Sequence, residues 1–284
     1  MAEFTIISAR GDRLPLNGNP RFELIGIDGQ TENDNALHSS TTVGTDGDTV
    51  NSISTNPRPM VIYLYITQNV EQTKRYILSY VKPKQRHCLE WKQENRTLVI
   101  SGVVQKITMP RWQNGIVMQI ALHCEQPYWE DAEAVVQEVS EIVPLHYFTT
   151  SDNDMLFFDY DDDGISFGEY DVARTKTFYN SGDVAVGLEI VVNALKTVTN
   201  PIIYASPDKY IGANITLNAG ETLTITTGRG NKDIRKDGVS VIGNIMQGST
   251  FLQLETGDNT FTIDSDETDI DNMYFEIIYS QRYV

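Results

Sequence analysis

The stretch RPMVIYLYITQNVEQTKRYILSYVKPKQRHCLEW, residues 58–91, leaves a chain few folds to choose from, because its hydrophobic period changes at Asn69 from that of a strand to that of a helix. Met60, Ile62, Leu64 and Ile66 alternate with Val61, Tyr63, Tyr65 and Thr67. That spacing predicts a sheet strand with one fully apolar face and a second that is at least half buried, so both sides are covered. From Asn69 onward, Asn69 and Gln72 fit a capping box, and Val70, Thr73, Tyr76, Ile77, Tyr80 and Val81 recur at helical spacing until Pro83 stops the turn. This is the one long helix that the sequence predicts. Its apolar stripe needs a sheet to cover, and the flanking strands are the candidates.

Ahead of this stretch, Phe4, Ile6 and Ile7 predict a short strand, and Phe22, Leu24, Ile25 and Ile27 another that ends in the turn Asp28-Gly29. Residues 30–57 are rich in Thr, Ser, Asp, Asn and Gly and nearly devoid of large apolar side chains, so they cannot build a core of their own. A segment of that length inside a folded domain is either an arm ordered against a neighbouring subunit or a mobile surface loop. Beyond the helix, Cys88–Trp91 and Thr97–Ile107 read as strands joined by a turn at Glu94-Asn95, with Gly102 marking a bend, a bulge or a close backbone approach. Ile116, Met118, Ile120 and Leu122 define a further strand ending at Cys124, its register fixed because a one-residue slip would invert its faces. Pro127 breaks the pattern, and Glu130–Glu141 reads as a strand, a short helix or a connector. The expected domain boundary lies near residue 145.

From Phe178 the pattern is purely β. Val184–Val192, Ile202–Tyr204, Ile211–Leu217, Leu223–Thr227, Val239–Ile245, Phe251–Leu254, Phe261–Ile263 and Tyr274–Tyr279 read as strands. Turns are expected at Ala219-Gly220, Gly228, Gly230, Gly238, Gly248, Gly257-Asp258-Asn259 and Asp269–Asn272. Short strands at this density predict a two-layer sandwich or jelly roll. The expected fold class is therefore mainly β with one N-terminal helix, divided into domains 1–145 and 146–284.

Chemistry is sparse. A formal net charge of -17 over 284 residues argues against nucleic acid or an anionic membrane as the principal partner and suits a protein kept apart from itself by charge, or one that meets cations or a basic partner. No run of about 18 apolar residues occurs. The segment MAEFTIISARGDR lacks an apolar core of signal-peptide length, so folding in the cytoplasm is the expectation. Cys88 and Cys124 do not amount to a disulfide framework, and buried thiols are expected. His38, His87, His123 and His146 fall in no HExxH, there is no GxSxG, and the TGRG at 227–230 lacks the lysine of a phosphate loop. The strongest local motif is DYDDDG: Asp159, Asp161, Asp163 and Gly164 match the opening of an EF-hand loop. The bidentate position is Tyr170, Glu169 sits one short, and Leu156–Phe158 reads as a strand, so an acidic hairpin or inter-domain loop is favoured over a calcium site. Neither catalytic residues nor a cofactor nor a resident metal is expected, and no two carboxylates single themselves out for glycoside hydrolysis.

Several phrases, in order, carry a family resemblance. GIDGQT (26–31), TVGTDGDTV (42–50), NPRPMVIYLYI (56–66), VKPKQ (81–85), ISGVVQKI (100–107) and LHCEQPYWED (122–131) resemble the phage tail component family of distal tail proteins, which form the baseplate hub of siphophages infecting Gram-positive bacteria and of related prophages. NSGDVAVGLEI (180–190), NITLNAGETLTITTGRGNKDI (214–234), LQLETGDNTFTI (252–263) and YFEIIYSQRYV (274–284) resemble that family's C-terminal domain. The resemblance implies a structural virion protein, not an enzyme, that sits at the tail tip after assembly in the host cytoplasm. It implies a hexameric ring made by the N-terminal domain and a galectin-like sandwich pointing outward. It further implies contact with the major tail tube protein, with a tail-associated hub protein and in some phages with receptor-binding proteins. Gln30–Asn56 would be the arm that reaches the next subunit. The stretch Leu145–Lys176 departs from the pattern. The alternative reading is a carbohydrate-binding module that attaches to host cell-wall glycans, with rings of the second domain gripping sugar.

Overall fold

The structure is a computed structural model that describes residues 3–44, 46–66, 68–112, 115–138, 140–143, 169–172, 175–266 and 272–284. The Asp159–Gly164 motif, His146 and the turn expected at Asp269–Asn272, Asn272 apart, lie outside these residues. The chain forms two compact units, Met1–Glu133 with Ser280–Val284, and Ala134–Tyr279.

Along the first unit run β1 (Glu3–Ile7), β2 (Arg13–Pro15), β3 (Glu23–Asp28), β4 (Asn35–Ser40), β5 (Thr49–Thr55), β6 (Arg58–Ile66), α1 (Val70–Tyr80), β7 (Arg86–Lys92), β8 (Thr97–Thr108), β9 (Arg111–Trp112), β10 (Gly115–Cys124) and β11 (Trp129–Asp131). The second unit holds β12 (Val135–Glu138), β13 (Ser140–Val143), β14 (Glu169–Val172), β15 (Thr175–Asn180), β16 (Val186–Gly187), β17 (Glu189–Ala194), β18 (Val198–Thr199), β19 (Ile202–Ser206), β20 (Lys209–Gly212), β21 (Thr216–Leu217), β22 (Thr222–Thr226), β23 (Asp233–Lys236), β24 (Val239–Ser240), a 3₁₀ turn at Ile242–Asn244, β25 (Gln253–Leu254), β26 (Gly257–Asp264) and β27 (Met273–Tyr279). The closing strand, β28 (Arg282–Tyr283), belongs with the first unit.

The first sheet runs in the order β2-β1-β7-β8-β10-β6-β3, all antiparallel where paired. β6 and β10 pair without a register shift from Ile66↔Ile116 to Arg58↔Cys124. Their even face (Met60, Ile62, Leu64, Ile66, Met118, Ile120, Leu122) is sealed, and Ile77 and Val81 of the helix and its C-cap join the same core. Each such aliphatic side chain contributes roughly 1.5–3 kcal/mol on leaving water. The other face of β6 is only half covered, at Val61, Tyr63 and Tyr65. The helix therefore does what its stripe requires, and one side of the sheet keeps a surface to offer. Gly102 is the close-approach case: a Cβ there would lie 2.8 Å from the Cys124 sulfur and 3.1 Å from the His123 carbonyl oxygen.

The helix start differs from the capping box read at Asn69 and Gln72. Asn69 sits in the left-handed region at φ 48 and makes no side-chain cap bond, because its side chain is not placed by the extended backbone that N-caps use. The carbonyl of Asn69 still accepts the Thr73 N–H at 2.9 Å.

In the second unit a six-stranded sheet, β12-β27-β17-β22-β23-β24, and a four-stranded sheet, β15-β26-β19-β20, bury a common core. Phe178 of the second meets Phe275 of the first at 6.3 Å between ring centroids. The alternating run Val184–Val192 is not one strand. It divides at Leu188, whose N–H donates to Thr227 Oγ1 at 2.7 Å, leaving β16 to pair with β25 and β17 with β22 and β27. Val239–Ile245 shortens to β24, because the Asn244 N–H turns back to the Val241 carbonyl at 2.8 Å. The turn read at Gly257-Asp258-Asn259 is instead the start of β26, paired with Asn180, Tyr179 and Phe178.

The first unit ends at Glu133 and takes back Ser280–Val284, whereas the sequence placed the change near 145 and left the C-terminus in the second domain. The cause is pairing: β12 is the edge partner of β27, and β28 pairs with β11. Arg282 is ion-paired with Glu130 at 2.7 Å, and Arg96 lies 3.9 Å over the Tyr283 ring. Tyr283→Ala is expected to cost about 2–4 kcal/mol by chemical denaturation, with the loss in the first unit's transition.

Candidate assembly surface

Two segments leave the first sheet and, among the described residues, pair only with each other. β4 and β5 form a hairpin in which Leu37 faces Ile53 and, past a bulge at His38/Ser39, Ser39 faces Val50. Leu37, Val50 and Ile53 therefore share one face, and they are 63%, 47% and 64% exposed. An isolated two-stranded hairpin is marginal in water, and three uncovered aliphatic side chains on one side of it mark a surface that needs a cover. His38 serves the hairpin as well, with Nε2 3.2 Å from Ser54 Oγ.

The same unit carries an uncovered sheet edge. Among the described residues β3 pairs with β6 alone, and a bulge at Leu24/Gly26 leaves Ile25 49% exposed. Beside it a groove of about 520 Å³ is lined by Ile25, Tyr63, Pro110 and the buried Val117 together with the polar Asp28, Arg111 and Gln119. On its rim the Tyr63 hydroxyl donates to Asp28 Oδ2 at 2.7 Å, and this hydrogen bond to the carboxylate raises the phenol pKa above its ordinary value. An edge that no described strand covers, beside a groove of mixed apolar and polar lining, fits an incoming strand or hairpin.

The remaining candidates resolve into structural roles. His87 is buried, its Nδ1 donating to the Gln85 carbonyl at 2.9 Å and its Nε2 accepting the Lys82 N–H at 3.2 Å, which closes the turn after α1. His123 is half-buried on β10. Gly228 and Gly230 lie in the turn between β22 and β23, where a Cβ on the neighbouring Gly187 would meet the Gly228 Cα at 2.5 Å. No group of three or more His, Cys, Asp or Glu among the described residues is arranged to hold a metal. Cys88 and Cys124 are free thiols. Cys88 pairs with Ser101 and so lies on the sheet face opposite Gly102, over which the Cys124 sulfur packs. Burial raises both thiols, Cys124 to about 11, against the opposing pull of the Arg58 charge.

In the second unit the outer face of the four-stranded sheet aligns Thr262, Tyr204 and Tyr210, the two rings 5.6 Å apart.

No curated protein matches the sequence significantly. Residues 181–283 match the siphovirus-type tail component, C-terminal domain. The fold is similar to the crystal structure of the Dit (gp 19.1) protein of SPP1, a paradigm of the hub adsorption apparatus in phages infecting Gram-positive bacteria, with 11% identity, 99% of each chain covered and a TM-score of 0.70. It is also similar to a chain of the phage P2 baseplate in its activated conformation with Ca, with 10% identity, 98% of each chain covered and a TM-score of 0.50. At these identities the likeness is one of fold.

The thiol shift carries a pH dependence. An unfolded Cys124 ionises near 9.0, as a free thiol does, while the folded one holds its proton to about 11. Its contribution is thus fully present below pH 9.0 and is lost as pH rises to about 11. Between these limits Cys124 is expected to account for about 2–3 kcal/mol of the stability lost in denaturation, beside the shares of the raised Cys88 thiol and Tyr63 phenol, and Cys124→Ala is expected to remove its own share alone.

Proposed function

We propose that this chain, a siphovirus-type tail component of the distal tail class, forms a closed ring of identical subunits as the hub of a phage tail tip. The observation that carries the ring is the pairing of opposites in one unit: a hairpin with an uncovered apolar face (Leu37, Val50, Ile53) and an open sheet edge beside a groove in which Ile25 and Tyr63 sit among Asp28, Arg111 and Gln119. A surface and its complement on different parts of one subunit make a heterologous contact, and when the rotation between copies closes, the product is a ring. The hairpin of one subunit seats its apolar face against the β3 edge of the next. The ring has six subunits, joins the major tail tube protein on one side to a tail-associated hub protein on the other, and holds receptor-binding proteins where the phage uses them. The second unit is the outward galectin-like sandwich of jelly-roll type. The action is assembly, without catalysis and without a cofactor.

Light scattering over a concentration series, with negative-stain images of the same sample, tests this. The expected particle is a six-fold ring with a mass near six times 32.0 kDa. The double substitution Leu37→Asp, Ile53→Asp is expected to abolish it while leaving stability within about 0.5 kcal/mol, because both side chains are exposed. A protein that stays monomeric at high concentration beside its tube neighbour, or rings that survive the double substitution, would count against the proposal.

A second reading, glycan attachment by the second unit, is favoured by the Tyr204–Tyr210 row. Retention of the protein on host cell-wall glycan, lost in Tyr204→Ala, is its expected sign.

A further inference from the structure

We infer that Arg58 and Trp129 form a two-donor clamp that fixes the direction in which the hairpin leaves the sheet, and with it the register in which one subunit meets the next. This inference rests on the assembly reading above.

The outbound chain turns at Gly29, where φ is +79 and a Cβ would lie 2.2 Å from the Pro59 carbonyl oxygen. Outbound and inbound backbones thus touch at the root of the arm, and only glycine fits there. At the next residue the Gln30 carbonyl oxygen accepts two hydrogen bonds, from Arg58 Nη1 at 3.0 Å and from Trp129 Nε1 at 2.9 Å. The donors come from different parts of the chain, Arg58 from the inbound strand and Trp129 from β11. Both are sealed from water, with exposures of 2% and 1%. Two buried donors on one carbonyl use both of its lone pairs and fix the peptide plane in two directions.

The donors are themselves held. Trp129 meets Trp91 edge-on at 5.4 Å, and Trp91 stacks on Phe4 at 5.7 Å. A second tier grips the paired strands just beyond. The Tyr128 hydroxyl donates to Thr55 Oγ1 at 3.0 Å, while Asn56 N–H and Nδ2 donate to the Asp34 carbonyl and carboxylate at 2.8 and 2.9 Å.

Arg58 is a costly residue for this place. Its charge is desolvated, and its Nε and Nη2 have no hydrogen-bond partner among the described residues. An apolar side chain of similar length would serve stability as well or better. What the guanidinium supplies is direction. A hairpin strand of six residues reaches roughly 20 Å, so an error of about 10° at the root displaces the tip by about 3–4 Å, more than a hydrogen bond tolerates. An arm aimed in advance also loses less freedom when it docks.

The test uses the full chain with spin labels at Val43→Cys, at the exposed hairpin tip, and Glu94→Cys, in a Cys88→Ser background. Distance distributions are recorded on the diluted subunit and compared among the parent, Arg58→Met, Arg58→Lys and Trp129→Phe. The parent is expected to give a narrow distribution and each variant a broad one, Arg58→Lys included because the ammonium keeps the charge without the fork. The concentration for half-assembly should rise about tenfold or more. Circular dichroism identifies any variant that fails to fold, and Trp129→Phe, which keeps a buried ring and removes one N–H, then carries the test. Narrow distributions in folded variants would overturn the clamp. Broad distributions with unchanged assembly would overturn its link to register. A parent that is narrow yet never assembles would fail the assembly reading while leaving the clamp standing.

Discussion

The unshifted pairing of β6 with β10, from Ile66↔Ile116 to Arg58↔Cys124, is the constraint on which the first unit depends. Because side chains alternate along both strands, this one register sends Met60, Ile62, Leu64, Met118, Ile120 and Leu122 to a single dry face and leaves Tyr63 and Gln119 on the other. The dry face recruits α1. The other face, with β3 alongside, becomes the groove. The same register also brings Arg58 to the end of the ladder, opposite Cys124, where the two hairpin strands depart. Core, groove and root of the arm are three consequences of one alignment.

The strands that enter this alignment were legible, but their pairing with each other was not. The alternation over 58–66 and 116–124, the helix over Val70–Tyr80 and the polar character of 30–57 are properties of local sequence, and each reports a period or the lack of one. The failures occur where the deciding partner is distant in sequence. Val184–Val192 reads as one strand because its period never breaks, yet Thr227 captures Leu188 from 39 residues away and splits it between two sheets. Gly257–Asn259 has turn composition, but β15 draws it into a ladder. Asn69 has the right chemistry for a cap, and only its left-handed backbone disqualifies it. At the assembly surface the hairpin was readable as a segment that could not bury itself. Its apolar row was not, because Leu37, Val50 and Ile53 fall on one face only through the bulge at His38/Ser39. The Arg58–Trp129 convergence on Gln30 was beyond any local reading, since Trp129 lies 99 residues downstream of its acceptor.

The net charge of -17 bears on how subunits of the proposed ring would come together. Copies of one acidic chain repel, and the repulsion is screened by salt within about 10 Å at 0.1 M ionic strength. A contact built on aliphatic side chains and an open strand edge does not depend on charge complementarity, so it suits self-association of an acidic subunit. The arm's aim then matters more than its affinity, because a flexible apolar hairpin on an acidic surface could find its own sheet or join copies in open order.

The most direct test of the central claim is a photo-crosslinking amino acid at Ile53 in the assembled particle, with the captured residues identified by mass spectrometry. The account expects capture at Ile25 or Tyr63, and in mixed rings of isotope-labelled and unlabelled chains it expects label to be joined to unlabelled chain. Capture confined to one chain, or to surfaces of the second unit, would contradict it.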